Sequence, residues 1–375
     1  MNGHKKRMNL TASGMAAMLS CLLFFSCNDE DFLGRNGDIA GNACDNICFG
    51  ISPDGNVQTR GNVVSDVDGY TSGQFVLRSG DSADTLCVRT TVSDGIHSPV
   101  FGNQQVATRG IPVTEKNFYG SFHVLAYWEK NGTLVKEQFY MDADVTKRGN
   151  NLWSSDRVYY WPGAEHTLQF YAWAPASGSF ETTPTTPENT KLTYTVPSDA
   201  AKQKDIVVAR PEETPGDHNA AQALTFDHIC TAVRFVTGSQ MQSGTIESVT
   251  LKGVQNKGTY DLTTGKWTPD SGVFDFTQSL NTEMNGSETD GTEVVTGEAT
   301  FMMLPQILPT DAKVEVAFSD KMTGEKRILE APIAGMEWPQ GKTVTYKLSI
   351  SPEYEFKLEN ENPVLDAHYD ILLQN

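Results

Sequence analysis

The segment Thr167-Leu168-Gln169-Phe170-Tyr171-Ala172-Trp173-Ala174-Pro175 carries bulky apolar side chains at both odd and even positions. Successive side chains of a strand point to opposite faces, so Leu168, Phe170 and Ala172 line one face while Tyr171 and Trp173 line the other beside Gln169. Such a strand needs apolar cover on both sides, which suits a sandwich better than an open sheet. Just upstream, Trp153 leads through Tyr159, Tyr160 and Trp161 to Pro162-Gly163. Pro presets φ for the second position of a tight turn and Gly accepts the positive φ that follows. Residues 153–175 are therefore predicted to form a buried β-hairpin.

The rest of the chain shows the same period of two, and no long stretch keeps helical periodicity. Phe122, Val124, Ala126 and Trp128 share one strand face before a turn at Asn131-Gly132. Val233 and Phe235 alternate with Arg234. Val249 and Leu251, then Val314, Val316 and Phe318, then Val344, Tyr346, Leu348 and Ile350 each alternate with polar neighbours. Residues 178–190 are rich in Thr, Pro and Ser and read as a surface loop, as do the acidic residues 279–297. A chain of 375 residues favours two domains. The expected fold class is all-β: two tandem antiparallel β-sandwich domains over residues 47–237 and 238–351, with the joint at Gly238 to Gly244. A tail over 352–375 carries Tyr354, Phe356 and Leu358 at strand spacing and an apolar end at Ile371-Leu372-Leu373. It has too few partners to be a domain of its own.

The N-terminus begins with Lys5-Lys6-Arg7 and an apolar run from Met15 to Phe25. That run is short for a membrane span and fits a secretory leader over residues 1–26. Leu23-Phe24-Phe25-Ser26-Cys27 resembles a bacterial lipobox, which makes Cys27 the expected lipidated residue. Asn28-Asp29-Glu30-Asp31 is similar to the acidic tract of surface-exported lipoproteins. Residues 27–46 read as a polar tether. The net charge of −18 disfavours partners with phosphate backbones, so no nucleic acid is expected. Cys44, Cys48, Cys87 and Cys230 read as structural, free or disulfide-bonded, because no Cys/His pair stands elsewhere at metal-ligand spacing.

A further resemblance rests on an ordered set of pieces. Tyr159-Tyr160-Trp161-Pro162-Gly163 with Phe170-Tyr171-Ala172-Trp173-Ala174-Pro175 is preceded by Phe122 to Trp128. It is followed by Asp205-Ile206-Val207-Val208-Ala209, Phe226-Asp227-His228, Gly258-Thr259-Tyr260-Asp261 with Gly265-Lys266-Trp267, Met303-Leu304-Pro305-Gln306, and Trp338-Pro339-Gln340-Gly341-Lys342. Over roughly residues 110–350 the set resembles the fimbrillin family, the pilus-type surface lipoproteins of Bacteroidales. The resemblance implies transthyretin-like, Greek-key sandwiches and a surface location at the outer membrane. It also implies a role in adhesion, with partners that are further pilus subunits or copies of the same chain joined by β-strand exchange. A protease would cut after an Arg near the first strand, and Arg60 and Arg109, both in Thr-Arg-Gly, are the candidates, with Arg60 preferred. The tail residues Tyr354, Phe356, Leu358, Ile371 and Leu373 would form the donor strand.

No Gly-x-Ser-x-Gly elbow, His-Glu-x-x-His, Walker loop or dinucleotide fingerprint occurs, so no catalytic residue, metal or cofactor is expected. His228 beside Asp227 could form half of a relay, but a structural pair is the better reading. Asp66-Val67-Asp68-Gly69 reads as a turn rather than a calcium loop. Asp81-Ser82-Ala83 and Asp84-Thr85-Leu86 resemble O-glycosylation tripeptides. Trp161, Tyr171 and Trp173 suit a core better than a sugar platform. The alternative function is a non-polymerising surface lipoprotein that binds a glycan or host ligand.

Overall fold

A computed structural model describes residues 46–51, 74–78, 84–94, 96, 113, 117–148, 152–294 and 300–352. These residues form 24 strands and no α-helix. The largest sheet has ten strands. Its main path runs Gln222–Leu224, Phe49–Ile51, Trp153–Ser154, Met141–Lys147, Ser121–Lys130, His166–Ala174, Val207–Ala209, Phe226–His228. Smaller sheets gather the later strands. Thr231–Met241 and Lys342–Pro352 lie in a five-stranded sheet with Asp84–Asp94, and Gly244–Gln255 and Lys313–Asp320 are the middle of a four-stranded one.

The two-sided strand pattern is realised at the middle of the large sheet. Ser121–Lys130 pairs with His166–Ala174 in antiparallel register, Val124 opposite Ala172 and Ala126 opposite Phe170. One face sends Phe122, Val124, Leu168, Phe170 and Ala172 into a core shared with Phe49 and Phe226. The other sends Leu125, Tyr127, Tyr171 and Trp173 into a second core that continues through Phe235, Phe318 and Tyr346 of the later strands.

The expected hairpin over 153–175 does not form. Trp153–Ser154 pairs with Met141–Lys147 and Phe49–Ile51, and two other strands lie between it and His166–Ala174. The Pro-Gly turn is real but local: Gly163 has a φ of 98° and its carbonyl accepts from His166 N–H at 3.0 Å. Gly163 and Gly216 also bond backbone to backbone, N–H to O at 2.9 Å. At Gly216 a Cβ would run into the Gly163 carbonyl. Turn chemistry fixes the bend, while the pairing partner is chosen by the core.

The sheets also cross the position expected to separate two domains. Thr231–Met241 runs through Gly238 and lies parallel to Lys342–Pro352, which pairs on its other side with Asp84–Asp94. Lys191–Thr195 likewise pairs with Lys257–Asp261. Gly238 marks an irregularity in register between Thr237 and Met241, and a Cβ there would collide with Ser349. Gly238 thus occupies a bulge position. Residues 279–284, expected in a loop, continue the strand Val273–Met284, because Met284 and Val294 both insert into the core.

Of the cysteines, Cys48 is disulfide-bonded and Cys230 is a buried free thiol. Burial, with the nearby Asp205 charge adding to it, pushes the Cys230 thiol up to about 12. Native Cys230 should therefore resist a thiol reagent at pH 8 and react only as the chain unfolds, which a labelling time course in urea would measure. Phe170→Ala and Trp173→Ala empty opposite faces of one strand and should each cost about 3–5 kcal/mol of stability by chemical denaturation. A loss below about 1 kcal/mol at either site would show that its face is not a packed core.

Candidate functional site

The segment 46–51 is inserted between strands that come from far along the chain. Phe49–Ile51 lies parallel to Gln222–Leu224, Phe49 opposite Gln222 and Ile51 opposite Leu224, and pairs on its other side with Trp153. Ile47 N–H donates to the Tyr159 carbonyl at 2.7 Å, and Gln222 N–H donates to the Cys48 carbonyl at 2.9 Å. Ile47 and Phe49 are buried and Ile51 packs on the same core. The Phe49 ring meets Phe170 edge-on with centroids 5.6 Å apart, and Phe122 at 6.2 Å. Cys48 points the other way, toward Leu152 and Ala221. The segment thus fills a slot with pockets for alternate residues and backbone partners on both edges.

A second N-terminal segment has a similar setting. Asp84–Asp94 pairs with Lys342–Pro352 along its whole length, from Asp94 opposite Lys342 to Asp84 opposite Pro352. Leu86, Val88 and Thr90 are buried. The tripeptide Asp84-Thr85-Leu86 lies at the start of this strand.

His228 finds its carboxylate in Asp205 rather than in its neighbour Asp227. His228 Nδ1 lies 2.8 Å from Asp205 Oδ2, and both side chains are fully buried. Asp205 Oδ2 also accepts from Val113 N–H at 2.8 Å, and the Tyr119 hydroxyl donates to the Asp205 carbonyl at 2.9 Å. Burial above all holds the Tyr119 hydroxyl far above the usual phenol range. His228 Nε2 is buried and has no hydrogen-bond partner among the described residues. The couple links Val113 to the end of Phe226–His228, the strand that pairs with Val207–Ala209. The sequence showed both residues but not their pairing, because a contact across 23 positions leaves no local signal.

Tyr171 and Trp173 are core residues, and Trp161 packs edge-on against Phe170 at 6.2 Å. Cys27, Arg60, Arg109, Tyr354, Phe356, Leu358, Ile371 and Leu373 lie outside the described residues, as do Asp66 to Gly69 and Asp81 to Ala83. Among the described residues no group of three or more His, Cys, Asp or Glu could hold a metal. No helix among them is long and apolar enough to cross a membrane.

Among solved structures, the chain is similar to a candidate cell adhesion protein of Bacteroides ovatus, at 15% identity and a TM-score of 0.41, over 64% of this chain and 90% of that one. It is similar to another such protein of Bacteroides uniformis, at 14% identity and a TM-score of 0.39, over 77% of this chain and 100% of that one. A third, from Bacteroides thetaiotaomicron, has 12% identity and a TM-score of 0.34, over 68% and 89%. No curated protein matches the sequence. The sequence profile of the fimbrillin-like proteins matches residues 113–367. That match covers more than half of the sequence, and the chain belongs to the fimbrillin-like family.

Proposed function

We propose that the protein is a surface-exposed, non-enzymatic lipoprotein of the outer membrane, related to adhesion, whose copies or fellow subunits join by strand exchange. The observation that carries this reading is the slot filled by residues 46–51. Its occupant presents Ile47, Phe49 and Ile51 at strand spacing, and the tail repeats that spacing with Tyr354, Phe356 and Leu358, again with Phe in the middle. A tail from another copy could place an aromatic ring where Phe49 sits and take up the backbone partners Gln222–Leu224 and Trp153. The second apolar stretch, at Ile371 and Leu373, would extend the same contact.

Cleavage after Arg60 frees residues 46–51 while leaving Asp84–Asp94 on Lys342–Pro352. Cleavage after Arg109 would strip that strand as well and expose the buried faces of Leu348 and Ile350. Arg60 is therefore the preferred site on this reading. On this reading the chain is a pair of transthyretin-like sandwiches in tandem, with residues 74–94 lent from the N-terminal side to the second. Cys27 carries the lipid that holds the chain at the membrane until assembly, since several acyl chains make attachment stable.

Three measurements test the reading. Cys27→Ala should leave an unprocessed precursor without labelled palmitate, and undiminished labelling would remove Cys27 as the lipid site. N-terminal sequencing of assembled surface protein should begin at Gly61; a start at Cys27 would show that neither Arg is used. Deleting residues 353–375 should leave the monomer's melting temperature unchanged and abolish SDS-resistant oligomers, and Phe356→Ala should weaken assembly by about 2 kcal/mol or more. A drop of many degrees in melting temperature with assembly intact would make the tail part of the monomer's own fold.

A further inference from the structure

Beside the large sheet, a cavity of about 360 Å³ opens between the strand Met141–Lys147 and residues 157–160. Its walls are rich in aromatic rings, among them Trp128, Tyr140 and Tyr160, with Asp142, Arg157 and Gln138 as the polar groups. Neither core requires all of this surface: Tyr160 is 63% exposed and Val158 51% exposed. Aromatic side chains left outside a core, at the mouth of a concave site with a few polar groups, are the usual makings of a small-ligand site.

Two of these rings already spend their donors inside the protein. Trp128 Nε1–H donates to the Gln138 carbonyl at 3.2 Å, and the Tyr140 hydroxyl donates to the Tyr160 carbonyl. These bonds fix the rings and leave them to act as apolar platforms, with Trp128 and Tyr140 centroids 5.1 Å apart at a 52° tilt. The Arg157 guanidinium lies 4.8 Å above the Tyr159 ring, and among the described residues no carboxylate pairs with it. Asp142 touches His123 Nε2 at 3.1 Å through Oδ1 and stays 56% exposed.

Arg can only donate hydrogen bonds, and an ionised Asp can only accept them. A ligand that serves both while lying on an aromatic platform combines donors and acceptors around a ring with an apolar face. Sugar hydroxyls both donate and accept, and the C–H face of a pyranose is apolar. One positive and one negative group line the cavity, so it carries no net preference for a charged ligand. The volume lies at the small end of ligand pockets, with room for about one or two sugar rings. We propose that this cavity binds a neutral hexose unit of a glycan, stacked on the Trp128, Tyr140 and Tyr160 rings and hydrogen-bonded by Asp142, Arg157 and Gln138. The site adjoins the strand-exchange slot: Asn46 bridges to Tyr160, and Ile47 N–H donates to the Tyr159 carbonyl at 2.7 Å.

The test is binding of the purified full-length protein to immobilised neutral gluco-, manno- and galacto-oligosaccharides, with sialylated and uronate-containing glycans as a second arm. At least one neutral series should bind. Tyr160→Ala, a largely exposed position, should weaken that binding tenfold or more with the melting temperature unchanged, and Arg157→Gln should weaken it severalfold. Tyr160→Phe should retain it, because only the ring is used. Absence of binding to every neutral series, binding confined to the carboxylated arm, or neutral-sugar binding untouched by Tyr160→Ala would each overturn the proposal.

Discussion

The antiparallel contact between Ser121–Lys130 and His166–Ala174 supports both apolar interiors of the protein at once. From Phe170 to Trp173 successive residues alternate between the two cores: Phe170 into the first, Tyr171 into the second, Ala172 into the first, Trp173 into the second. Neither core can be repacked alone, because the shared backbone transmits any shift in register to both. Small residues sit where the two strands are most crowded. Ala126 faces Phe170 and Ala172 faces Val124, which lets Phe49 and Phe226 reach the middle of the first core.

Much of this was legible in the residues. The alternation of Val314, Val316 and Phe318, or of Val344, Tyr346 and Leu348, gives both the strand and its buried face, and each of these six side chains is fully buried. The aromatic density around Phe170 correctly announced cover on both sides. Partner choice was not legible. Trp153 looked like the mate of the strand after Pro162-Gly163 because a tight turn lies between them, yet turn residues specify a local bend and say nothing about which edge lies nearest. Thr231–Met241 likewise gives no sign of its partner Lys342–Pro352, because its pattern is equally satisfied by any sheet that offers an apolar face. The Asp205–His228 couple and the slot around Phe49 depend on contacts between distant positions, and their residues have no distinctive spacing.

Electrostatics contribute more to solubility than to the fold. The chain has 47 acidic and 29 basic residues, and many described cations sit in exposed or half-exposed pairs such as Lys257–Glu181 and Lys313–Glu330. Such pairs contribute about 0–1 kcal/mol each and are screened by salt. Their effect on the carboxylates is local: the Lys257 ammonium holds Glu181 below its usual range. Arg157 stands apart from this pattern, with a tyrosine ring as its neighbour and, among the described residues, no carboxylate partner.

The parallel pairing of Phe49–Ile51 with Gln222–Leu224 has a kinetic meaning. Parallel strands cannot be joined by a tight turn, and here the connection runs through most of the large sheet. Closing so long a loop is entropically slow, so contacts within the Ser121–Ala174 region form far more readily than this one. On the ribosome the order is sharper still, since Phe49 emerges long before Gln222 exists to receive it. Phe49–Ile51, the first of the described strands, is therefore secured late, and until then the Phe49 pocket stays open. Among the described strands, Phe49–Ile51 and Asp84–Asp94 both wait for partners that are synthesised long after them.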